Sequence, residues 1–144
     1  MPGDKVFLDT NIILYAYDVS AGEKHQRAKE IVLDLWNSGL AVISTQVLQE
    51  FFVTATQKIP KPLDSRFAKD IVGDLLKWEV VINDGVAVLD AIELLLQYGY
   101  SFWDSLIIEA SIKGGAEILL SEDLSHGQTI QGVTIMNPFK ATPS

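Results

Sequence analysis

Apolar residues recur along this chain in two rhythms. Short runs at residues 5–8, 41–43, 79–82, 117–120 and 133–135 are rich in Val, Ile and Leu and have the length of buried strands. Between them, longer stretches repeat apolar positions three and four residues apart, the period of a helix with one face in a core. Ala28, Ile31, Val32, Leu35 and Trp36 make one such stripe, and Val47, Leu48, Phe51 and Ala55 another. Phe67, Ile71 and Leu75 make a third, and Trp103, Leu106, Ile107 and Ala110 a fourth. The spacing predicts helices over 10–17, 23–37, 46–56, 65–77, 86–97 and 102–113. Capping residues agree with these limits. Ser44 or Thr45, Asn83-Asp84 and Ser101 precede helices, Gly39, Gly99 and Gly114-Gly115 follow them, and Ile59-Pro60-Lys61-Pro62 breaks one.

Strands that alternate with helices imply right-handed crossovers and a mostly parallel sheet with helices on both faces. An α/β fold with about five strands is expected, as a single domain over residues 1–144. The two helices at about 46–77 lack an intervening strand and form a helical excursion, an arm or clamp beside the sheet.

Composition narrows the picture. Of 144 residues, 48% are hydrophobic and 21% charged, a globular balance. No apolar run approaches the roughly 20 residues of a membrane-spanning helix. The N-terminus lacks the basic-then-apolar layout of a secretory signal. With no cysteine, neither disulfides nor thiolate–zinc sites are available. A cytoplasmic protein without a membrane partner is expected. The net charge of −8 argues against a broad electrostatic grip on nucleic acid, but not against a small acidic site that holds divalent metal.

Candidate chemistry sits where strands end. In an open parallel sheet, ligands bind beyond the carboxyl ends of the strands. The first strand delivers Asp9 there, the second leads into the helix carrying Glu50, and the fourth delivers Ser121-Glu122-Asp123. Asp104 lies in the first turn of the helix before that fourth strand. Each has an ordinary alternative: Asp9 as an N-cap, Asp104 in a capping box with Ser101, Glu50 on a solvated face, Asp123 in a turn. Glu50 nevertheless lies between apolar neighbours at Val47-Leu48 and Phe51-Phe52-Val53, where a carboxylate needs a partner. Asp84 also follows a strand, but its capping role accounts for it. Carboxylates that crowd one groove repel unless a cation sits among them. An all-oxygen set without Cys or clustered His suits Mg²⁺ or Mn²⁺ and metal-assisted phosphodiester or phosphate-ester chemistry.

Leu8-Asp9-Thr10-Asn11, Gln49-Glu50-Phe51, Trp103-Asp104, Ser121-Glu122-Asp123-Leu124, Gly132-Val133 and Asn137-Pro138-Phe139 occur in the order that marks one family. From residue 6 to about 139 the chain resembles PIN-domain ribonucleases, and among them the VapC-type toxins of type II toxin–antitoxin pairs. The resemblance implies a three-layer α/β/α sandwich and Mg²⁺- or Mn²⁺-dependent cleavage of RNA by metal-activated water. It implies Asp9 and Asp104 as principal metal ligands, with Glu50 and Asp123 completing a catalytic acidic pocket. It implies Asn11 as a hydrogen-bonding support and Ser121 in a place where the family often has Thr. It also implies homodimers and a cognate antitoxin whose basic tail occupies the groove. In the last acidic motif, Glu122 competes with Asp123 for the fourth role.

Five of eleven Lys and Arg residues fall between Lys58 and Lys77, interleaved with Asp64, Asp70 and Asp74, which reads first as a solvated helical face. If the excursion flanks the groove, Lys58 and Lys61 beside the Pro turn are the best phosphate contacts. Trp103 has the aromatic face to stack on a base, but its stripe predicts core packing. His25 reads as a surface helix residue, and His126 receives no role.

Two other functions compete. A phosphoryl-transfer module of the receiver or haloacid-dehalogenase kind also places acids beyond parallel strands. The dehalogenase kind needs a second Asp where Asn11 stands. A receiver needs an acidic pair before its phosphorylated Asp and a late Lys, whereas Lys140 lies beyond the last strand. A catalytically silent module whose acidic pocket captures a basic partner tail uses the same carboxylates as a metal site, so the residues leave it open.

Overall fold

A computed structural model describes residues 3–140; residues 1–2 and 141–144 of the expected domain lie outside the described residues. Strand β1 (Val6–Leu8) leads into helix α1 (Thr10–Tyr17), and a single 3-10 turn at Val19–Ala21 precedes α2 (Glu23–Ser38). Next come β2 (Ala41–Ser44), α3 (Thr45–Gln57), α4 (Ser65–Leu75), β3 (Glu79–Val81), α5 (Gly85–Tyr98) and α6 (Phe102–Lys113). The chain continues through β4 (Ile118–Leu120), β5 (Thr129–Ile130) and β6 (Val133–Met136).

The six strands lie in the order β3-β2-β1-β4-β6-β5, all parallel except the β5–β6 pair. Phe7 and Leu8 point to opposite faces of β1 and both are fully buried, as expected of a strand covered by helices on two sides. The chain winds outward from β1 through β2 to β3, then crosses back to place β4 on the other side of β1. That reversal opens a crevice at the carboxyl ends of β1 and β4.

Local chemistry sets the helix ends. Asp64 and Asp84 cap α4 and α5 by accepting from the amides of Arg66 and Phe67, and of Ala87. Gly39 and Gly99 close α2 and α5 in the left-handed conformation, with φ of 73° and 80°. Gly114 serves a different purpose. A Cβ there would stand 2.7 Å from Cγ1 of Val42, so the absence of a side chain lets the end of α6 lie directly on β2.

The sixth strand departs from the sequence expectation. Thr129–Ile130 pairs antiparallel with β6 through a two-residue turn, Gln131-Gly132, both at positive φ. Such a turn matches the twist of its strands, and it lets Ile130 bury completely beside Val133. The polar stretch Ser125-His126-Gly127-Gln128 just before it hides the strand from an apolar-run reading. Two stripe residues also depart. Trp103 is 61% exposed rather than packed in the core, because its place in the first turn of α6 projects it past the sheet. Phe67 is likewise exposed, since α4 turns Ala68, Ile71 and Leu75 inward. No helix among the described residues is long and apolar enough to cross a membrane.

Candidate active site

The crevice is a groove of about 560 Å³. Asp9, Glu50, Asp104 and Asp123 all line it, drawn from the end of β1, the second turn of α3, the first turn of α6 and the loop after β4.

Asp9 is the most constrained of the four. The parallel ladder continues one residue past β1, the Asp9 amide donating to the Leu120 carbonyl, so its side chain is aimed along the strand into the groove. Its Oδ1 accepts from the Thr10 amide at 2.7 Å, and its Oδ2 accepts from Ser121 Oγ at 2.7 Å. Only 7% exposed, the carboxyl is pushed up to about 6 by burial; the Ser121 and Thr10 donors pull against this, and the Glu50 and Asp123 charges add to it.

The other acids are held by residues next to Asp9. Thr10 Oγ1 donates to Glu50 Oε1 at 2.8 Å, tying α3 to the end of β1. Asn11 Nδ2 donates to Asp123 Oδ2 at 2.9 Å, and Ser121 Oγ also accepts from the Asp123 amide at 3.2 Å. Ser101 caps α6, its Oγ accepting from the Asp104 amide at 3.1 Å, which leaves the Asp104 carboxyl free to line the groove. Burial raises the Asp104 carboxyl above its ordinary range, Ser101 opposing and the Asp123 charge reinforcing the shift.

The start of α6 reaches the groove by being fastened to α3. Gln46 Nε2 donates to the Trp103 carbonyl at 3.2 Å, while Asn83 Oδ1 accepts from Thr45 Oγ1 and the Gln46 amide. Thus the first turns of α3 and α6 are one assembly, with Trp103 at its mouth.

Glu122 points elsewhere. It accepts from Tyr15 Oη at 2.6 Å and from Lys24 Nζ, does not line the groove, and is held below its ordinary range: burial raises it, but Lys24 and Tyr15 outweigh that. Geometry therefore brings Asp123, and not Glu122, to the other three acids. Lys58, at the end of α3, lines the groove; Lys61 does not, because the Pro turn carries it past the rim into solvent. Thr10 went unread in the sequence. Its signal was a hydroxyl directly after the strand-end acid, one of the few buried polar side chains.

As placed, no three acidic or His side chains among the described residues surround one ion position. Asp9, Glu50 and Asp123 each engage an oxygen with Thr10, Asn11 or Ser121. The donor set itself fits a hard divalent cation. It is all oxygen, and the groove wall also carries Oδ1 of Asn11, a buried acceptor without a hydrogen-bond partner. A cation among these groups reverses the electrostatic penalty that raises Asp9.

Solved structures share this fold. VapC20 of Mycobacterium tuberculosis, a toxin that cleaves the sarcin–ricin loop, superposes with a TM-score of 0.63 at 21% identity, covering 83% of this chain and 92% of that one. A toxin–antitoxin complex from Klebsiella pneumoniae gives 0.68 at 19%, covering 95% and 100%. VapBC2 of Rickettsia felis, bound to a promoter DNA fragment, gives 0.63 at 23%, covering 92% and 97%. No curated protein matches the chain by sequence. A family model for the PIN domain matches residues 6–129, which takes in all four groove acids, and the chain belongs to the PIN-domain family.

Proposed function

We propose that this chain is a Mg²⁺- or Mn²⁺-dependent endoribonuclease that acts in the cytoplasm as the toxin of a toxin–antitoxin pair. The observation that carries this is the convergence of Asp9, Glu50, Asp104 and Asp123, distant in sequence, on one groove at the carboxyl edge of the sheet. Asp9 and Asp104 would be the principal ligands of the ion, with Glu50 and Asp123 completing the set. A divalent ion in such a site supplies charge to the scissile phosphate and lowers the pKa of a bound water. The chain's own residues fix the acids: Thr10 orients Glu50, Asn11 orients Asp123, and Ser121 holds Asp9. Lys58, which lines the groove, would contact a backbone phosphate, and the exposed Trp103 ring would stack on a base.

The same anionic groove suits a basic side chain from an antitoxin tail, which would occupy the place of the ion. The complexes from Klebsiella and Rickettsia support an antitoxin partner for chains of this shape. A second copy of this chain is the proposed partner of the outer face of α5, where Val88, Leu89, Ile92 and Leu96 form an exposed apolar row.

The test is cleavage of a mixed RNA pool by purified protein with Mg²⁺, Mn²⁺ or EDTA, beside Asp9→Asn and Asp104→Asn. Cleavage that requires metal and both carboxylates is expected. Cleavage that survives EDTA would overturn the metal-dependent reading, and binding of a basic peptide without any cleavage would favour a silent acidic-pocket module.

A further inference from the structure

A second cavity of about 470 Å³ lies between α5 and α6, away from the groove. Glu109 lines it. Glu109 is five residues beyond Asp104 on α6, roughly 140° around the helix, so the two carboxylates face opposite sides of it. Asp90 and Glu93 of α5 line the same cavity, with Gln97 and Gln131 adding side-chain amides. Among the lining residues the single cation is Lys113, and its ammonium is engaged by Asp84 Oδ2 at 3.3 Å.

Glu109 is the unusual member. It is 6% exposed, and its Oε2 has no hydrogen-bond partner. A carboxylate oxygen buried without a donor is unfavourable unless a cation or proton comes to the group. Asp90 and Glu93 do not relieve this; they add negative charge at the open side. We propose that the α5–α6 cavity is a binding site for a guanidinium cation, with Glu109 as its buried anchor and Asp90 and Glu93 at its entrance.

The shape and donor pattern select that class. A guanidinium is planar and weakly hydrated, and its fork of N–H donors meets a carboxylate with two parallel hydrogen bonds. Its remaining donors meet the entrance carboxylates and amide oxygens, and Val86, Leu94 and Ile112 receive an alkyl stem. Burial pushes the Glu109 carboxyl up, with Lys113 opposing and Asp90 and Asp84 reinforcing the shift. The chemistry is the same for a free alkylguanidine and for an arginine side chain of a partner protein.

Titration of the ¹⁵N-labelled full chain with ethylguanidinium chloride, against sodium chloride at equal ionic strength, tests the site. Saturable amide shifts are expected across 86–97 and 109–113. They should weaken about tenfold in Glu109→Gln and two- to threefold in Asp90→Asn, and persist in Asp104→Asn, which alters only the groove. A short peptide with one arginine among uncharged residues separates the sources. Tighter binding than ethylguanidinium assigns the site to a partner's arginine, and equal binding assigns it to a free alkylguanidine. Absence of saturable shifts with both probes overturns the proposal, as does undiminished binding in Asp90→Asn and Glu109→Gln. Because Asp90 is exposed, its variant keeps the test decisive even if Glu109→Gln does not fold.

Discussion

Ser121 Oγ donates to Asp9 Oδ2 across 2.7 Å, joining the ends of two adjacent parallel strands whose residues are 112 positions apart in sequence. The same oxygen accepts from the Asp123 amide, so one hydroxyl orients two acids of the groove. Ser121→Ala should therefore destabilise the fold by about 1–3 kcal/mol, the cost of removing a donor from a buried carboxylate. It should also lower RNA cleavage roughly ten- to a hundredfold, as loss of a ligand-orienting group does. Ser121→Thr keeps the hydroxyl and should restore both. Urea denaturation and cleavage rates of the two variants check this.

The Asp9 carboxyl rises from 3.8 to about 6 on folding, so the folded chain binds this proton more tightly than the unfolded chain. Stability from this group is complete below pH 4 and is lost as pH rises from about 4 to about 6. The loss amounts to about 3 kcal/mol. Asp104 and Glu109, also raised, add loss in the same direction. Asp9→Asn should flatten the fall and be more stable than the wild type at pH 7.5 without metal. Mg²⁺ should raise the wild-type Tm at that pH by mass action and leave Asp9→Asn nearly unmoved. Thermal melts between pH 4 and 8, with and without Mg²⁺, decide the matter.

Asp123 and Glu122 are neighbours with opposite surroundings. Asp123→Asn should reduce cleavage by about a hundredfold or more, because it removes a charge from the groove. Glu122→Gln should keep cleavage within a few-fold and lower only stability, by about 1 kcal/mol or less, since its ion pair with Lys24 is partly exposed. Cleavage rates of the two variants under identical metal conditions measure the difference.

Gly114 permits the contact between α6 and β2. Gly114→Ala sets a methyl group 2.7 Å from Val42 Cγ1 and 3.0 Å from Val81 Cγ2, and should cost about 1–3 kcal/mol through overpacking. Val42→Ala should recover part of that loss by opening space. A double-mutant cycle in urea reads the coupling directly.

Most of the sheet was legible because parallel strands buried on both faces leave unbroken apolar runs, as at Val6-Phe7-Leu8 and Ile118-Leu119-Leu120. The two-residue strand Thr129–Ile130 carried too little pattern to read, although Gln131-Gly132 held the turn signal. Asp9, Asp104 and Asp123 could be nominated because each followed a strand or opened a helix, and Glu50 because apolar neighbours flank it in a helix that a strand leads into. What joins them could not. The Thr10–Glu50 and Asn11–Asp123 bonds span 40 and 112 residues, and local spacing encodes no such distance. Trp103 shows the converse limit: helical period assigns a face to a side chain, but not whether the core extends far enough to cover it.

Thr10 and Asn11 are consecutive, yet one grips an acid from the middle of the chain and the other an acid near its end. During synthesis Asn11 must therefore wait for Asp123, which is made 112 residues later. A ribosome that has made the chain only as far as β4 does not yet carry the closed acidic groove, because the partner of Asn11 has not been made.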